Sequence, residues 1–145
     1  MIYLLRHGDA EHETSEDAER RLTPKGERQS EAAGKALAAL GAKVDACLSS
    51  PKVRADQTAR IAGARLGAEV EIAEALRGGD FDLLVLTAGR GDVLLVGHEP
   101  DFSNAVAAVT GARVKLKKGG LAAIEDRELH WLLTPKQLRA IAGSG

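Results

Sequence analysis

The sequence predicts an α/β protein, a three-layer α/β/α sandwich built on a mainly parallel sheet, and two observations carry that prediction. Short apolar runs, some of them uninterrupted Val and Leu, alternate along the chain with longer alanine-rich segments of helical character. That rhythm belongs to a parallel sheet covered by helices on both faces. Several runs also end in loops carrying glycine, arginine or histidine, as strands do when their carboxyl ends border a ligand site. With 145 residues and 44% hydrophobic content, the chain suits a single domain spanning residues 1–145. Aromatics make up only 3%, so the core has to come from Ala, Val, Leu and Ile.

The elements follow in order. Met1-Ile-Tyr-Leu-Leu5 is bulky, lacks a helix-start signal and reads as a buried strand. Residues 9–22 are dominated by charge and read as a solvated loop. Thr23 suits an N-cap, Pro24 the first helical position and Glu27 a loose capping pattern. This helix runs to about Leu40 and stops at Gly41, its alanines and Gly34 implying close approach to the sheet. Val44–Leu48 is a second strand, Val53–Leu66 a helix ended by Gly67, and Glu69–Ile72 a short third strand. The pair Gly78-Gly79 leads into a helix over Asp80–Ala88, and Asp92–Val96 is a fourth strand buried on both faces. Asp101 is placed to cap a helix through Val109. Val114–Leu116, Gly120–Glu125 and Leu129–Leu133 read as three short strands, with an antiparallel edge pair turning at Asp126-Arg127. Pro135–Ala142 makes a final helical turn or two, and the Gly-Ser-Gly terminus is expected to fray.

Composition narrows the function. The formal net charge of −1, from 20 basic and 21 acidic residues, argues against a general nucleic-acid binder. A lone cysteine excludes an intramolecular disulfide and any CxxC cluster, and Cys47 within its strand reads as a small buried hydrophobe. The first apolar run is too short for a signal peptide and no run approaches a bilayer span. A soluble, cytoplasmic protein without a membrane partner is expected.

The chemistry concentrates at three strand ends. Arg6-His7-Gly8 follows the first strand, Ser49-Ser-Pro-Lys-Val-Arg54-Ala-Asp-Gln-Thr58 the second, and Gly97-His98-Glu99-Pro100 the fourth. Two histidines and two arginines in these positions suggest phosphoryl transfer. A histidine attacks phosphorus through a neutral ring nitrogen, so its other nitrogen must carry the proton and be held, typically by a carbonyl. A guanidinium offers a planar fork of donors matched to two phosphate oxygens, which lysine does not.

Together the three blocks resemble the histidine phosphatase superfamily, whose fold is phosphoglycerate mutase-like. The short length and Leu22-Thr-Pro-x-Gly26 resemble its small SixA-type phosphohistidine phosphatases. The resemblance implies that His7 is the nucleophile, forming a covalent phosphohistidine that water then hydrolyses. It implies that Arg6 and Arg54 clamp the phosphate, and that His98 donates to it, provided nearby arginines allow the required proton. The helix beginning near Asp101 is placed to lend its dipole to the phosphate.

Other polar residues receive plainer readings. Arg60, Arg65, Lys25 and Lys52 are expected as surface charges, Ser103 and Asn104 as capping or solvated groups, and His12 as a solvated loop residue. Alternation turns Leu129 and Trp131 inward beside His130. No HxH or HExxH spacing appears and two arginines beside His7 would repel a cation, so neither metal nor cofactor is expected.

One departure bears on substrate. Ester-cleaving members of the family carry a glutamate proton donor after the third strand, where this chain has Glu74-Ala-Leu76-Arg77-Gly78-Gly79. An alkoxide needs a general acid to leave, whereas a phosphorylated imidazole leaves more readily. The leading expectation is therefore a phosphohistidine phosphatase acting on a phosphohistidine-bearing protein. A phosphatase of small phosphate monoesters using Glu74, Asp80 or Glu99 as acid is the alternative, and a non-catalytic phosphate-binding module the second alternative.

Overall fold

In the computed structural model, which describes residues 1–12 and 16–144, a six-stranded sheet is packed between two helical layers. The strands are β1 (Ile2–Arg6), β2 (Ala46–Ser49), β3 (Val70–Ile72), β4 (Val93–Gly97), β5 (Leu121–Glu125) and β6 (Glu128–Leu133). The helices are α1 (Pro24–Ala39), α2 (Val53–Leu66), α3 (Leu83–Thr87), α4 (Asp101–Thr110) and α5 (Pro135–Ser144). The strand order is β3-β2-β4-β1-β5-β6. The first four are parallel, and β5 runs antiparallel to both neighbours. This is the three-layer, mainly parallel α/β architecture read from the sequence.

Strand alternation divides the core into two clusters. Tyr3, Leu5, Leu94 and Val96 face α1, α2 and α5, where Ala33, Leu37, Ala59 and Leu138 meet them. Leu4, Leu48, Val93 and Leu95 face the other way, against Leu83 of α3, Phe102 and Val106 of α4, and Leu116. The alanine-rich helix faces explain how a chain poor in aromatics closes its core: small side chains let the layers approach closely. Cys47 is buried within the first cluster, as expected.

Local signals hold at most boundaries. Thr23 accepts from Gly26 N–H at 3.1 Å as N-cap of α1. Gly67 closes α2 in the left-handed region, at φ 66°. The β5–β6 hairpin turns on Asp126 and Arg127, at φ 51° and 61°, the paired positive values of a type I′ turn.

Several expectations need correction. Residues 114–116 form no strand, because Glu99 takes the Leu116 N–H and Arg6 the Leu116 carbonyl, leaving no ladder partners there. The helix expected over Asp80–Ala88 shrinks to α3, because Asp82 accepts from Val85 N–H and caps it two residues late. Pro100, not Asp101, occupies the N-cap of α4. Gly34 approaches α2 rather than the sheet: a Cβ there would lie 2.7 Å from the Ala62 carbonyl oxygen. Leu129 and Trp131 are both half-buried but enter opposite clusters, because the pairing register shifts between Ala123 and Ile124. The terminal helix is longer than expected, ten residues.

Part of the reading of 9–22 falls on residues 13–15, and part of the terminal one on Gly145, outside the described residues. The remainder of 9–22 is more ordered than a solvated loop. Ala10 bridges Leu22, both buried, and Asp17–Glu19 form a 3₁₀ turn.

The α1–α2 contact yields a stability test. Gly34→Ala gains about 1 kcal/mol of helix propensity, yet its methyl group collides with α2 backbone. Urea denaturation is expected to show a net loss of about 1–3 kcal/mol, the usual cost of overpacking.

Candidate active site

Parallel register brings the three loops together. Arg6 pairs with Gly97 and Ser49 with Val96, so β1, β2 and β4 end side by side. Backbone bonds then fix each exit: His7 N–H to the Gly97 carbonyl at 3.1 Å, and Ser50 N–H to the Val96 carbonyl at 3.0 Å. Gly119 N–H reaches the carbonyls of both Arg6 and His7, tying down the loop before β5. A pocket of about 300 Å³ lies over these ends, lined by Arg6, His7, Arg54 and His98. All four residues singled out in the sequence therefore meet at one site.

His7 is buried, and its Nδ1 lies 2.7 Å from the Gly8 carbonyl oxygen. A carbonyl only accepts, so Nδ1 carries the proton and Nε2 presents its lone pair. Arg54 Nε donates to that Nε2 at 3.3 Å, which agrees. Gly8 itself cannot hold a side chain, since a Cβ would stand 2.6 Å from the Gly26 carbonyl oxygen. This backbone-to-backbone contact joins the Arg-His-Gly loop to the first turn of α1.

Arg54 sits in the first turn of α2 and is 5% exposed. Its Nη1 donates to the Asp17 carbonyl at 2.8 Å and its Nη2 reaches the Asp17 carboxylate at 3.3 Å. Thr58 Oγ1 donates to the Arg54 carbonyl and accepts from Gly8 N–H, linking α2 to the histidine loop. Arg6 Nη1 donates to the Leu116 carbonyl at 2.9 Å, while its buried Nε has no protein partner. The Glu99 carboxylate accepts from Leu116 N–H, Ser103 N–H and the Ser103 hydroxyl, and so steadies the carbonyl that holds Arg6.

His98 Nε2 lies 2.8 Å from Ser50 Oγ, and the two rings of His7 and His98 are 5.2 Å apart. Ser50 Oγ already accepts from Lys52 N–H. A serine hydroxyl has one proton to give and two lone pairs, so this contact fits either neutral tautomer of His98. The buried Nδ1 of that ring has no protein partner.

The electrostatics are those of cations crowded out of water. Burial, with Arg54, Arg6 and Lys118 adding to it against the Gly8 bond, pushes His7 down to about 4. Burial, then His7, Arg54 and Lys52, pushes His98 down to about 3. Burial also lowers both guanidinium pKa values. Against the upward push of desolvation, Lys52, Arg54 and Arg20 draw the Asp17 carboxyl down to about 2. Burial and the neighbouring cations thus favour the neutral form of both histidines in the free protein.

The structure separates the remaining candidates. Glu74 is exposed and paired with Arg77, and Asp80 lines a different pocket, between α3 and α4. Glu99 borders the active pocket with its carboxylate committed to three donors. Lys52 is no free surface charge: it borders the pocket and pairs with Asp17. His12 also lines the pocket while remaining exposed. Arg60 and Arg65 are exposed and paired with Asp56 and Glu31, Lys25 and Asn104 are exposed, and Ser103, rather than capping, donates its N–H and hydroxyl to Glu99. Among the described residues, no cluster of three His, Cys, Asp or Glu side chains is placed to hold a metal. No described helix is long and apolar enough to cross a membrane.

Several site residues escaped the sequence reading. Asp17 is one acid among many in a charged stretch, and the Leu116 carbonyl is invisible to side-chain patterns. Ser50 and Thr58 lay inside a recognised block, but only the fold shows which groups they hold.

Comparisons with known proteins bear on the family and the fold. Residues 2–86 match the family model of the histidine phosphatase superfamily (branch 1). An uncharacterised protein of Picosynechococcus sp. is 34% identical over 94% of this chain and 98% of its own length. The protein histidine phosphatase SixA, solved with tungstate, superposes with a TM-score of 0.83 at 24% identity, over 94% of this chain and 98% of that one. A phosphoserine phosphatase of Entamoeba histolytica, solved with 3-phosphoglyceric acid, gives 0.70 at 16% identity, over 94% and 98% of the two chains. Matched over more than half its length by that model, and carrying its fold, the chain belongs to the histidine phosphatase superfamily.

Proposed function

We propose that this protein is a phosphohistidine phosphatase whose substrate is a phosphohistidine-bearing protein. The observation that carries the reading is the His7 tautomer: a buried neutral imidazole, proton held by Gly8, with Nε2 beside Arg54. His7 Nε2 attacks phosphorus in line. The bond from phosphorus to the substrate imidazole breaks as the new P–N bond forms, and its electron pair stays on the departing nitrogen. Water then attacks the phosphoenzyme, releasing inorganic phosphate and neutral His7. Arg6 and Arg54 hold the equatorial oxygens, where charge is spread in the transition state. His98, neutral, adds a ring N–H as donor. The oxyanion held by SixA, tungstate, is consistent with such a cradle.

Substrate class rests on the leaving group. Glu74 and Asp80 lie outside the pocket lining and Glu99 is fully engaged. A phosphoimidazole protonated on its far nitrogen departs as neutral imidazole and needs none of them.

A second reading, hydrolysis of small phosphate esters, is favoured by Asp101, which borders the pocket with only Oδ2 engaged, by Gly79 N–H. Turnover of a phosphohistidine peptide measured beside phosphoserine and sugar phosphates decides between them; preference for the esters overturns the first reading. In the same assay, Asp101→Asn is expected to leave phosphohistidine turnover within about threefold.

Two further outcomes are expected. After incubation with ³²P-phosphohistidine peptide and an alkaline quench, the label maps to His7 and is absent from His7→Ala. Arg54→Ala should lose roughly 10²–10³ in kcat, as when one preorganised donor is removed. A wild type that binds phosphate without forming a phosphoenzyme would point to a binding module.

The pH dependence has a definite sign. With His7 held near 4, kcat/KM of the free enzyme stays level from pH 7 to about 5 and falls as pH drops through 4, where the nucleophile takes up a proton. Folding also holds both histidines below their usual 6.5, so the folded protein binds fewer protons than the unfolded chain below that pH. Stability is therefore full above about 6.5 and declines toward pH 4. Urea midpoints should be lower at pH 5 than at pH 7.

A further inference from the structure

The pocket is lined by more positive charge than one phosphoryl group uses. Beyond Arg6 and Arg54, its border holds Arg20, Lys52, Arg77 and Lys118, against Glu99 and Asp101. The whole chain has a net charge of −1, so this concentration is local. The four cations come from separate parts of the fold: the 3₁₀ turn's end, the N-cap of α2, the β3–α3 connection and the loop before β5. Arg20 and Lys52 share the Asp17 side of the opening, and Arg77 and Lys118 reach it from other elements. Lys118 is near enough to depress the His7 titration and Lys52 that of His98. They stand close to the reacting centre while remaining partly solvent-exposed, from 21% for Lys52 to 52% for Arg77.

The chain itself shows what these cations accept. The Asp17 carboxylate is contacted by Arg20 at 3.0 Å, Lys52 at 3.3 Å and Arg54 at 3.3 Å. Three positive groups thus converge on one carboxylate, so the rim already recruits an acidic side chain of the chain itself. Lys118 has a long contact, 3.8 Å, to Asp9, and Arg77 an exposed pair with Glu74 at 3.0 Å, a solvated contact of little worth that a docked carboxylate can replace. The connection from β3 to α3 is a 3₁₀ turn and Gly78-Gly79, so no helix roofs the opening. Among the described residues, that connection leaves the rim cations partly exposed to an approaching surface.

We propose that Arg20, Lys52, Arg77 and Lys118 form a docking rim for carboxylate side chains flanking the phosphohistidine of the substrate protein. The inference rests on the phosphohistidine reading and adds to it a recognition rule: the favoured phosphohistidine lies on an acidic surface. Such pairs are exposed, so each contributes little, and the rim acts through several at once. Its effect is larger on encounter than on the chemical step and is screened by salt.

The test is a binding measurement, so its failure is distinct from failure of the catalytic reading. Two fluorescent peptides carry a central phosphonotriazolylalanine, a stable phosphohistidine mimic, flanked in one by Asp and Glu and in the other by Ser and Gln. Fluorescence anisotropy with wild-type protein at 50 mM NaCl is expected to give about tenfold tighter binding of the acidic peptide. The preference should fall to about twofold at 500 mM NaCl. Arg77→Ala/Lys118→Ala should abolish most of it, with circular dichroism confirming the fold. Equal affinity of the two peptides in wild type overturns the proposal, as does a preference that survives the double substitution. Inorganic pyrophosphate competing as tightly as the acidic peptide would assign the rim to a second phosphate and overturn it equally. Turnover of phosphohistidine is not read in this assay, so a failed phosphatase assay leaves the binding result standing.

Discussion

The constraint on which the rest of this structure depends is the packing of one buried and one half-buried guanidinium beside two buried imidazoles. Cations packed together away from water repel one another and lose hydration. The fold resolves this by keeping both histidines neutral and by spending nearby acceptors on the arginines. The Leu116 carbonyl holds Arg6, the Asp17 carbonyl and carboxylate hold Arg54, and Glu99 secures Leu116 from behind. Removing water also suits a nucleophilic imidazole, because a lone pair on Nε2 stays available only while the ring is uncharged.

That arrangement explains features of the fold that the core alone would not require. Gly8 and Gly26 touch backbone to backbone, so the loop bearing His7 is clamped to the start of α1. Thr58 then fastens the same loop to α2 through Gly8 N–H, one turn beyond Arg54. The stretch before β5 forgoes strand pairing because its backbone groups serve Arg6, His7 and Glu99. Each departure from regular structure around the pocket places a polar backbone group against a charged or reactive side chain. The sheet supplies register, and these few contacts supply the finer positioning.

How much was legible beforehand follows from which physics each feature uses. The buried strands β1 and β4 announce themselves as continuous apolar runs, and the α1 boundary follows from Thr23 and Pro24, since local chemistry alone fixes these. Arg6, His7 and His98 were found at or just after strand ends, and Arg54 in the recognisable block that follows β2. What failed depended on distant partners. Residues 114–116 have strand-like side chains, but their backbone partners are the side chains of Glu99 and Arg6. Leu129 and Trp131 alternate correctly, yet a shifted register against β5 sends them to opposite faces. Gly34 signalled close packing without revealing whether sheet or helix lay opposite. Asp17 carried no local mark at all, because its importance lies in the three cations that converge on it.

The same charge balance constrains the chemistry available to the pocket. A general acid must hold its proton at neutral pH until the leaving group demands it, and burial among cations works against that by favouring the carboxylate form. The carboxylates nearest these arginines, Asp17 and Glu99, are committed as acceptors to positive groups or N–H and O–H donors. If this site holds a phosphoryl group as proposed, it is better suited to binding it than to protonating an alkoxide. Under the proposed reading the burden of departure passes to the substrate, whose imidazole carries its own proton. The acid missing after β3 and the surplus of cations at the rim are then two consequences of one electrostatic design.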